Sequence, residues 1–265
     1  MQAMINGISM AYDDVGSGPP VLLIHGFPLS RKMWRLQTEA LATAGYRVIT
    51  PDLRGFGDSD APDGPYRIEL FADDILELLD HLGIERAVVG GMSMGGYILL
   101  RLLLQAPERV RAALFITTRS TADDEAGKAR RLALAKDVMQ YGPQVITDAF
   151  TQVLFAPGTP EEKPDLAREA YSWMVATSSR GLAGGLLAMR ERPDFTPLLP
   201  TIRQPSLVIS AVQDQAAPPA TAETFTQGLP NCTARLIPRG GHLVNLEEPE
   251  LFNRVLLEFL ATLPA

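Results

Sequence analysis

The chain has 265 residues, 46% hydrophobic and 21% charged, proportions that exclude a disordered or low-complexity protein and leave roughly 11,000 Å² exposed on folding out of about 42,000 Å². Its 24 Lys and Arg against 31 Asp and Glu give a net charge of −7, which argues against nucleic acid or an anionic membrane as the main partner. One cysteine, Cys232, cannot form an internal disulfide, and with only His25, His81 and His242 beside it no zinc-ligand set is expected. No apolar run approaches the ~18 residues of a membrane span. The first positive charge is Arg31, so no basic leader segment is visible and a soluble cytoplasmic protein is expected.

In chain order, Val21 to Ile24 is an apolar run opened by Pro19-Pro20 and closed by Gly26, which reads as a buried strand. Lys32 to Ala44 is helical in character, and Tyr46 to Thr50 is a second strand, ended by Pro51. Between Leu70 and Leu82 the apolar Phe71, Ile75, Leu78, Leu79 and Leu82 recur at helical spacing, with Gly83 as the stop. Strand Ala87 to Val89, helix Met94 to Gln105 and strand Val110 to Thr117 follow. Alternating helices and fully apolar strands predict a parallel sheet covered on both faces.

The rhythm breaks after Thr118. Four helical segments, 123–141, 143–153, 163–176 and 180–190, carry no convincing buried strand. Alternation resumes with strand Ser206 to Ser210, a helix from Pro219 to Gln227, strand Thr233 to Ile237 and a last helix from Pro249. A helical block inside a doubly wound sheet predicts an insertion over the carboxyl ends of the strands, where such sheets bind ligands. Its Phe155, Tyr171, Trp173 and Met174 are candidate pocket walls, with Phe155 and Trp173 foremost, and an apolar lining is expected.

Gly91-Met92-Ser93-Met94-Gly95 matches G-x-S-x-G between a predicted strand and a predicted helix. That context is what a nucleophile elbow requires: a sharp turn presents the serine at a helix N-terminus, where the dipole favours developing negative charge. A serine hydroxyl needs a base. His242 lies on a loop beyond strand Thr233 to Ile237, whereas His81 sits at a helix end and His25 closes a strand. The base needs a carboxylate to hold its tautomer. Asp214 follows strand Ser206 to Ser210; Asp52 also follows a strand but precedes Ser93, and Thr118-Arg119-Ser120 offers no acid before Asp123. The order Ser93, Asp214, His242 is the one elbow-bearing sheets use. Oxyanion donors are expected from the backbone N–H of Met94 and of Phe27, since Pro28 has none to give.

His25-Gly26-Phe27-Pro28, the stretch Asp52 to Ser59, Gly90 to Gly96, Asp214 and Gly241-His242 together resemble the α/β-hydrolase superfamily over about residues 7–262. The likeness is to small bacterial esterases, enol-lactonases and C–C-bond hydrolases. It implies a doubly wound, mostly parallel sheet formed by 1–117 and 198–265, with a helical cap of 118–197 inserted after the sixth strand. It also implies a brace role for the Asp52 to Asp60 loop and a cofactor-free, metal-free serine hydrolase acting on a small to medium ester or lactone. Ala211 departs from the glycine that many relatives carry before the acid. Serine rather than aspartate at the elbow points away from dehalogenases and epoxide hydrolases and towards acyl transfer. A C–C-bond hydrolase, or a cofactor-free haloperoxidase or perhydrolase, would use the same three residues. A small-molecule receptor of this fold is the reading from another class, though a pure binder needs no base–acid pair. Gly55-Phe56-Gly57 could open a dinucleotide fingerprint, but Asp60 and the Pro- and Gly-containing run after it do not start a helix.

Overall fold

A computed structural model describes residues 1–264. The elements run β1 (Gln2–Ile5), β2 (Ile8–Val15), β3 (Pro20–Ile24), α1 (Arg35–Thr43), β4 (Arg47–Pro51), α2 (Ile68–His81), β5 (Ala87–Met92), α3 (Met94–Gln105) and β6 (Val110–Ile116). Five helices follow: α4 (Glu125–Tyr141), α5 (Gln144–Leu154), α6 (Thr159–Glu162), α7 (Pro164–Ala176) and α8 (Ser179–Glu191). The chain closes with β7 (Ser206–Ala211), α9 (Ala220–Gly228), β8 (Cys232–Ile237), α10 (Val244–Glu247) and α11 (Pro249–Ala261). Among the described residues no helix is long and apolar enough to cross a membrane.

The eight strands form one sheet in the order β1-β2-β4-β3-β5-β6-β7-β8, antiparallel at β1/β2 and β2/β4 and parallel elsewhere. Strand alternation divides the core between two faces. In β3, Leu22 and Ile24 join the cluster under α2 and α3, while Val21 and Leu23 join the one under α1 and α11. Phe115 and Leu114 of β6, and Val208 and Leu207 of β7, divide in the same way. Burial on both sides is why these strands read as continuous apolar runs rather than as alternations. The folded surface of 10845 Å² agrees with the size expectation.

Two strands, β1 and β2, escaped the sequence reading. They form a hairpin closed by Asn6-Gly7, both at positive φ (43° and 78°), with Ile5 opposite Ile8. That dipeptide is a strong type I′ hairpin signal. β2 is broken by Ser9 and turns polar at Asp13 and Asp14, so it lacks the continuous apolar run by which the central strands read.

Strand order reverses between β3 and β5: the chain leaves β3 towards β4 on one side and returns to β5 on the other. The loops at their carboxyl ends therefore diverge and leave a crevice, the general ligand position in such sheets. His25, at the end of β3, is fully buried and fixes one wall of that crevice. Its Nδ1 lies 2.9 Å from the Gly26 carbonyl, and its Nε2 is 3.1 Å from the Leu53 N–H. Nε2 can accept that N–H only if Nδ1 carries the single ring proton, so the pair of bonds requires a neutral ring.

Burial pushes the His25 pKa below its usual 6.5, outweighing the opposing pull of Asp52. The unfolded chain thus binds a proton that the folded chain refuses. Stability is complete above about pH 6.5 and falls as pH drops below it, by at most ~1.4 kcal/mol per pH unit from this group. Melting curves between pH 8 and 5 should show this decline in the wild type and a flatter one in His25→Asn. Parallel curves would contradict the assignment.

Candidate active site

Five of the parallel strands, β3 and β5 to β8, deliver a site residue just past their carboxyl ends. Because Ile24 lies opposite Gly91 in the β3/β5 pair, Phe27 and Ser93 emerge side by side. Ala211 opposite Ile237 does the same for the loops carrying Asp214 and His242.

Ser93 sits between β5 and α3 at φ 51° and ψ −112°, a backbone conformation that costs a non-glycine residue about 1–3 kcal/mol. The neighbouring glycines let the turn close. A Cβ on Gly91 would strike the Gly95 carbonyl, and one on Gly95 would strike the Ile24 carbonyl. The Ser93 N–H donates to the Ile116 carbonyl at 3.0 Å, and the Ser93 carbonyl accepts from Thr118 Oγ1 at 2.8 Å. The end of β6 thus pins the turn from both sides. The hydroxyl makes no hydrogen bond among the described residues and faces the cavity.

His242 and Asp214 are buried together, with His242 Nδ1 2.9 Å and 3.0 Å from the two carboxylate oxygens of Asp214. The same carboxylate accepts the N–H groups of Ala216 and Ala217, each at 2.8 Å. His242 Nε2 is the ring nitrogen without a partner among the described residues, and His242 lines the same cavity as Ser93. No hydrogen bond joins Ser93 to His242 here; catalytic hydrogen bonds often tighten only when substrate is bound. The backbone N–H groups of Phe27 and Met94 have no acceptor among the described residues.

The competing acids are committed elsewhere. Asp52 is fully buried, ion-pairs with Arg31, and accepts the backbone N–H groups of Arg31 at 2.7 Å and Asp58 at 2.8 Å. It braces the loop beside the crevice. Asp123 pairs with Arg131 and, at 2.7 Å, with Arg192. Burial would raise its pKa, but those two guanidiniums outweigh burial and hold it down to about 2. His81 is exposed in the last turn of α2.

The cavity over Ser93 measures about 580 Å³, within the range of small-molecule sites. Apolar side chains of Phe27, Tyr97, Phe150, Val153, Leu186 and Met189 form much of its wall. The expected wall residues do not. Phe155 is buried edge-to-face against Tyr171, with ring centroids 6.1 Å apart. Trp173 packs under the Arg35 guanidinium, 5.5 Å from its ring. Both belong to the core cluster shared with α1 and α11. The inner stripe of α7 packs on that core, whereas Phe150 and Val153 of α5 turn to the cavity. The lining is also less apolar than expected, since Arg119, Asp123, Asp124, Arg130 and Arg131 contribute to it.

Two supports were missed in the sequence. Thr117 adopts φ 40°, unusual for a β-branched residue, and donates from Oγ1 to the His242 carbonyl at 3.2 Å. Glu247, buried in α10, accepts from the Gly241 N–H at 2.8 Å, the Ala156 N–H at 2.9 Å and Thr159 Oγ1 at 2.7 Å. This carboxylate ties the His242 loop to the α5–α6 connection. Thr117 and Thr118 read locally as ordinary strand-end hydroxyls and Glu247 as an ordinary helix-surface acid, because each acts through a partner distant in the chain.

Comparison with known proteins agrees with this architecture. The model of the alpha/beta hydrolase fold family matches residues 19–249. A thermophilic esterase from Thermogutta terrifontis superposes with a TM-score of 0.96 at 34% identity, covering 100% of this chain and 99% of its own. The enol-lactonase of Burkholderia xenovorans gives 0.92 at 29%, covering 98% and 100%. A bromoperoxidase from Bacillus anthracis gives 0.87 at 28%, covering 98% and 100%. With its eight-stranded, mostly parallel sheet between two helical layers, the chain belongs to the alpha/beta hydrolase family.

Proposed function

We propose that this hydrolase cleaves a small to medium carboxylic ester or lactone through an acyl-enzyme on Ser93. The single observation that carries the reading is the convergence of Ser93, in its strained turn, with the buried His242–Asp214 pair at one cavity. His242 Nε2 takes the Ser93 hydroxyl proton as Oγ bonds to the substrate carbonyl carbon. Electron density passes to the carbonyl oxygen, where the Phe27 and Met94 N–H groups stabilise it. When the C–O bond to the leaving alcohol breaks, the imidazolium returns the proton to that oxygen. Water then attacks the acyl carbon, giving its proton to His242, and the imidazolium returns that proton to Ser93 Oγ as the acyl–Oγ bond breaks and the acid leaves. Asp214 holds the proton on Nδ1 and stabilises the transient imidazolium. Residues 118–197 act as a cap that walls the acyl and alcohol subsites.

A second reading is favoured by the likeness to a bromoperoxidase: the acyl-enzyme would be opened by hydrogen peroxide instead of water, giving a peracid. Peracid production from acetate and peroxide, compared with ester hydrolysis at matched enzyme concentration, separates the two.

Ser93→Ala should lower kcat on an activated ester at least about 10³-fold with an unchanged fold by circular dichroism. Asp214→Asn should lower kcat about 10³- to 10⁴-fold, because a neutral amide cannot stabilise the imidazolium and favours the wrong tautomer. Asp52→Asn should act chiefly on melting temperature. Near-normal turnover by Ser93→Ala, or a larger kcat loss in Asp52→Asn than in Asp214→Asn, would overturn the assignment.

A further inference from the structure

The chain as a whole is acidic, at −7, yet the wall of the cavity is not. Arg119, Arg130 and Arg131 line it, with Arg192 directly behind Asp123, against only two carboxylates, Asp123 and Asp124. Those carboxylates are spoken for: Asp123 lies between Arg131 and Arg192, and Asp124 caps α4 by accepting the Gly127 N–H at 2.7 Å. Arg192 is further held by the Tyr97 ring, 4.2 Å from its guanidinium carbon, and by the Met189 and Thr121 carbonyls.

Two guanidiniums remain uncommitted. Arg119 is half-buried two residues beyond the strained Thr117 and spends one donor nitrogen on the Ala216 carbonyl. Its other donors have no acceptor among the described residues, and no carboxylate lies within ion-pair distance of it. A guanidinium has five N–H donors in a fixed fork suited to a planar two-oxygen acceptor. Arg130, exposed on α4, makes neither an ion pair nor a hydrogen bond among the described residues. Paired cations around Asp123, one free fork at the wall and a second free cation at the mouth create a positive field in a partly enclosed space, where field lines concentrate. The same wall also carries Phe27, Phe150 and Leu186, which suit hydrocarbon.

We propose that the substrate carries, besides the scissile ester or lactone, a free carboxylate that Arg119 and Arg130 bind at the α4 side of the cavity. This rests on the hydrolase reading above and names its substrate class. One negative charge suits the site better than two, since the Asp124 carboxylate also stands in the wall. The apolar lining then takes the short chain between the carboxylate and the reacting carbonyl.

The test compares mono-4-nitrophenyl glutarate with its neutral methyl ester, which has the same leaving group and a similar length. The wild type should show a kcat/KM at least about tenfold higher for the acid, and rising ionic strength should reduce this preference. Arg119→Gln and Arg130→Gln should each lower the acid-to-neutral ratio about tenfold, chiefly through KM. Arg235→Gln removes the same charge from the exposed face of β8, outside the cavity, and should leave the ratio unchanged. Because Arg130 is exposed, its variant remains informative even if Arg119→Gln is poorly folded.

A separate arm titrates monomethyl glutarate, which carries a single carboxylate, into the Ser93→Ala protein by calorimetry and repeats the titration with Arg119→Gln or Arg130→Gln added. Saturable binding weakened by either arginine substitution supports the carboxylate site whether or not any ester is hydrolysed. A wild type that hydrolyses neither ester faster than Ser93→Ala removes the hydrolase reading and leaves the anion site to be judged on this titration. Equal or greater preference for the neutral ester, unmoved by the arginine substitutions and without monomethyl glutarate binding, would overturn the proposal.

Discussion

The parallel pairing of β3 with β5 is the constraint on which the rest of this molecule depends. It is where strand order reverses, so the two following loops part and leave room above the sheet. Ile24 opposite Gly91 places the Phe27 and Met94 N–H groups at adjacent strand ends. The elbow can exist there only because strand and helix meet without side chains at Gly91 and Gly95. The strain at Ser93 is held by bonds from β6 rather than by the elbow itself, since the Ile116 carbonyl and Thr118 hydroxyl fix its main chain on both sides. A turn so over-determined keeps the hydroxyl in place without a partner for the hydroxyl itself.

The His242–Asp214 half of the candidate site is built with different physics. The His242 loop has no regular structure of its own and is positioned by polar anchors. Thr117 holds the His242 carbonyl, Glu247 holds the Gly241 N–H, and Asp214 holds the ring. Glu247 also reaches the α5–α6 connection, so the helical block and the histidine loop share one buried carboxylate. Loss of one partner from such a buried charge network costs several kcal/mol, because the remaining groups have no water to turn to.

Much of this was legible in the sequence because the information is local. Fully apolar runs marked the central strands, and the G-x-S-x-G turn between β5 and α3 marked Ser93. The loops after β7 and β8 each held one suitable residue, Asp214 and His242, and the structure brings those two together. What was not legible depends on partners distant in the chain. The β1–β2 hairpin has no continuous apolar run, and its one local signal, the Asn6-Gly7 turn, is too short to mark two strands by itself. Phe155 and Trp173 are as apolar as Phe150 and Val153, and helical periodicity does not say which stripe meets a core and which a cavity. The insertion was expected over the strand ends, but helical periodicity does not say which face of α4 meets the cavity, so Arg130 and Arg131 carried no signal as wall residues.

The central claim is that Ser93 is a nucleophile activated by the His242–Asp214 pair. Its most direct measurement is active-site titration with a fluorophosphonate, followed by intact-mass analysis and peptide mapping. The account predicts one phosphonyl group per chain, on Ser93 alone, with labelling slowed by orders of magnitude in His242→Ala. A chain that stays unlabelled, or that carries the group on another residue at the same rate in the His242 variant, would contradict it.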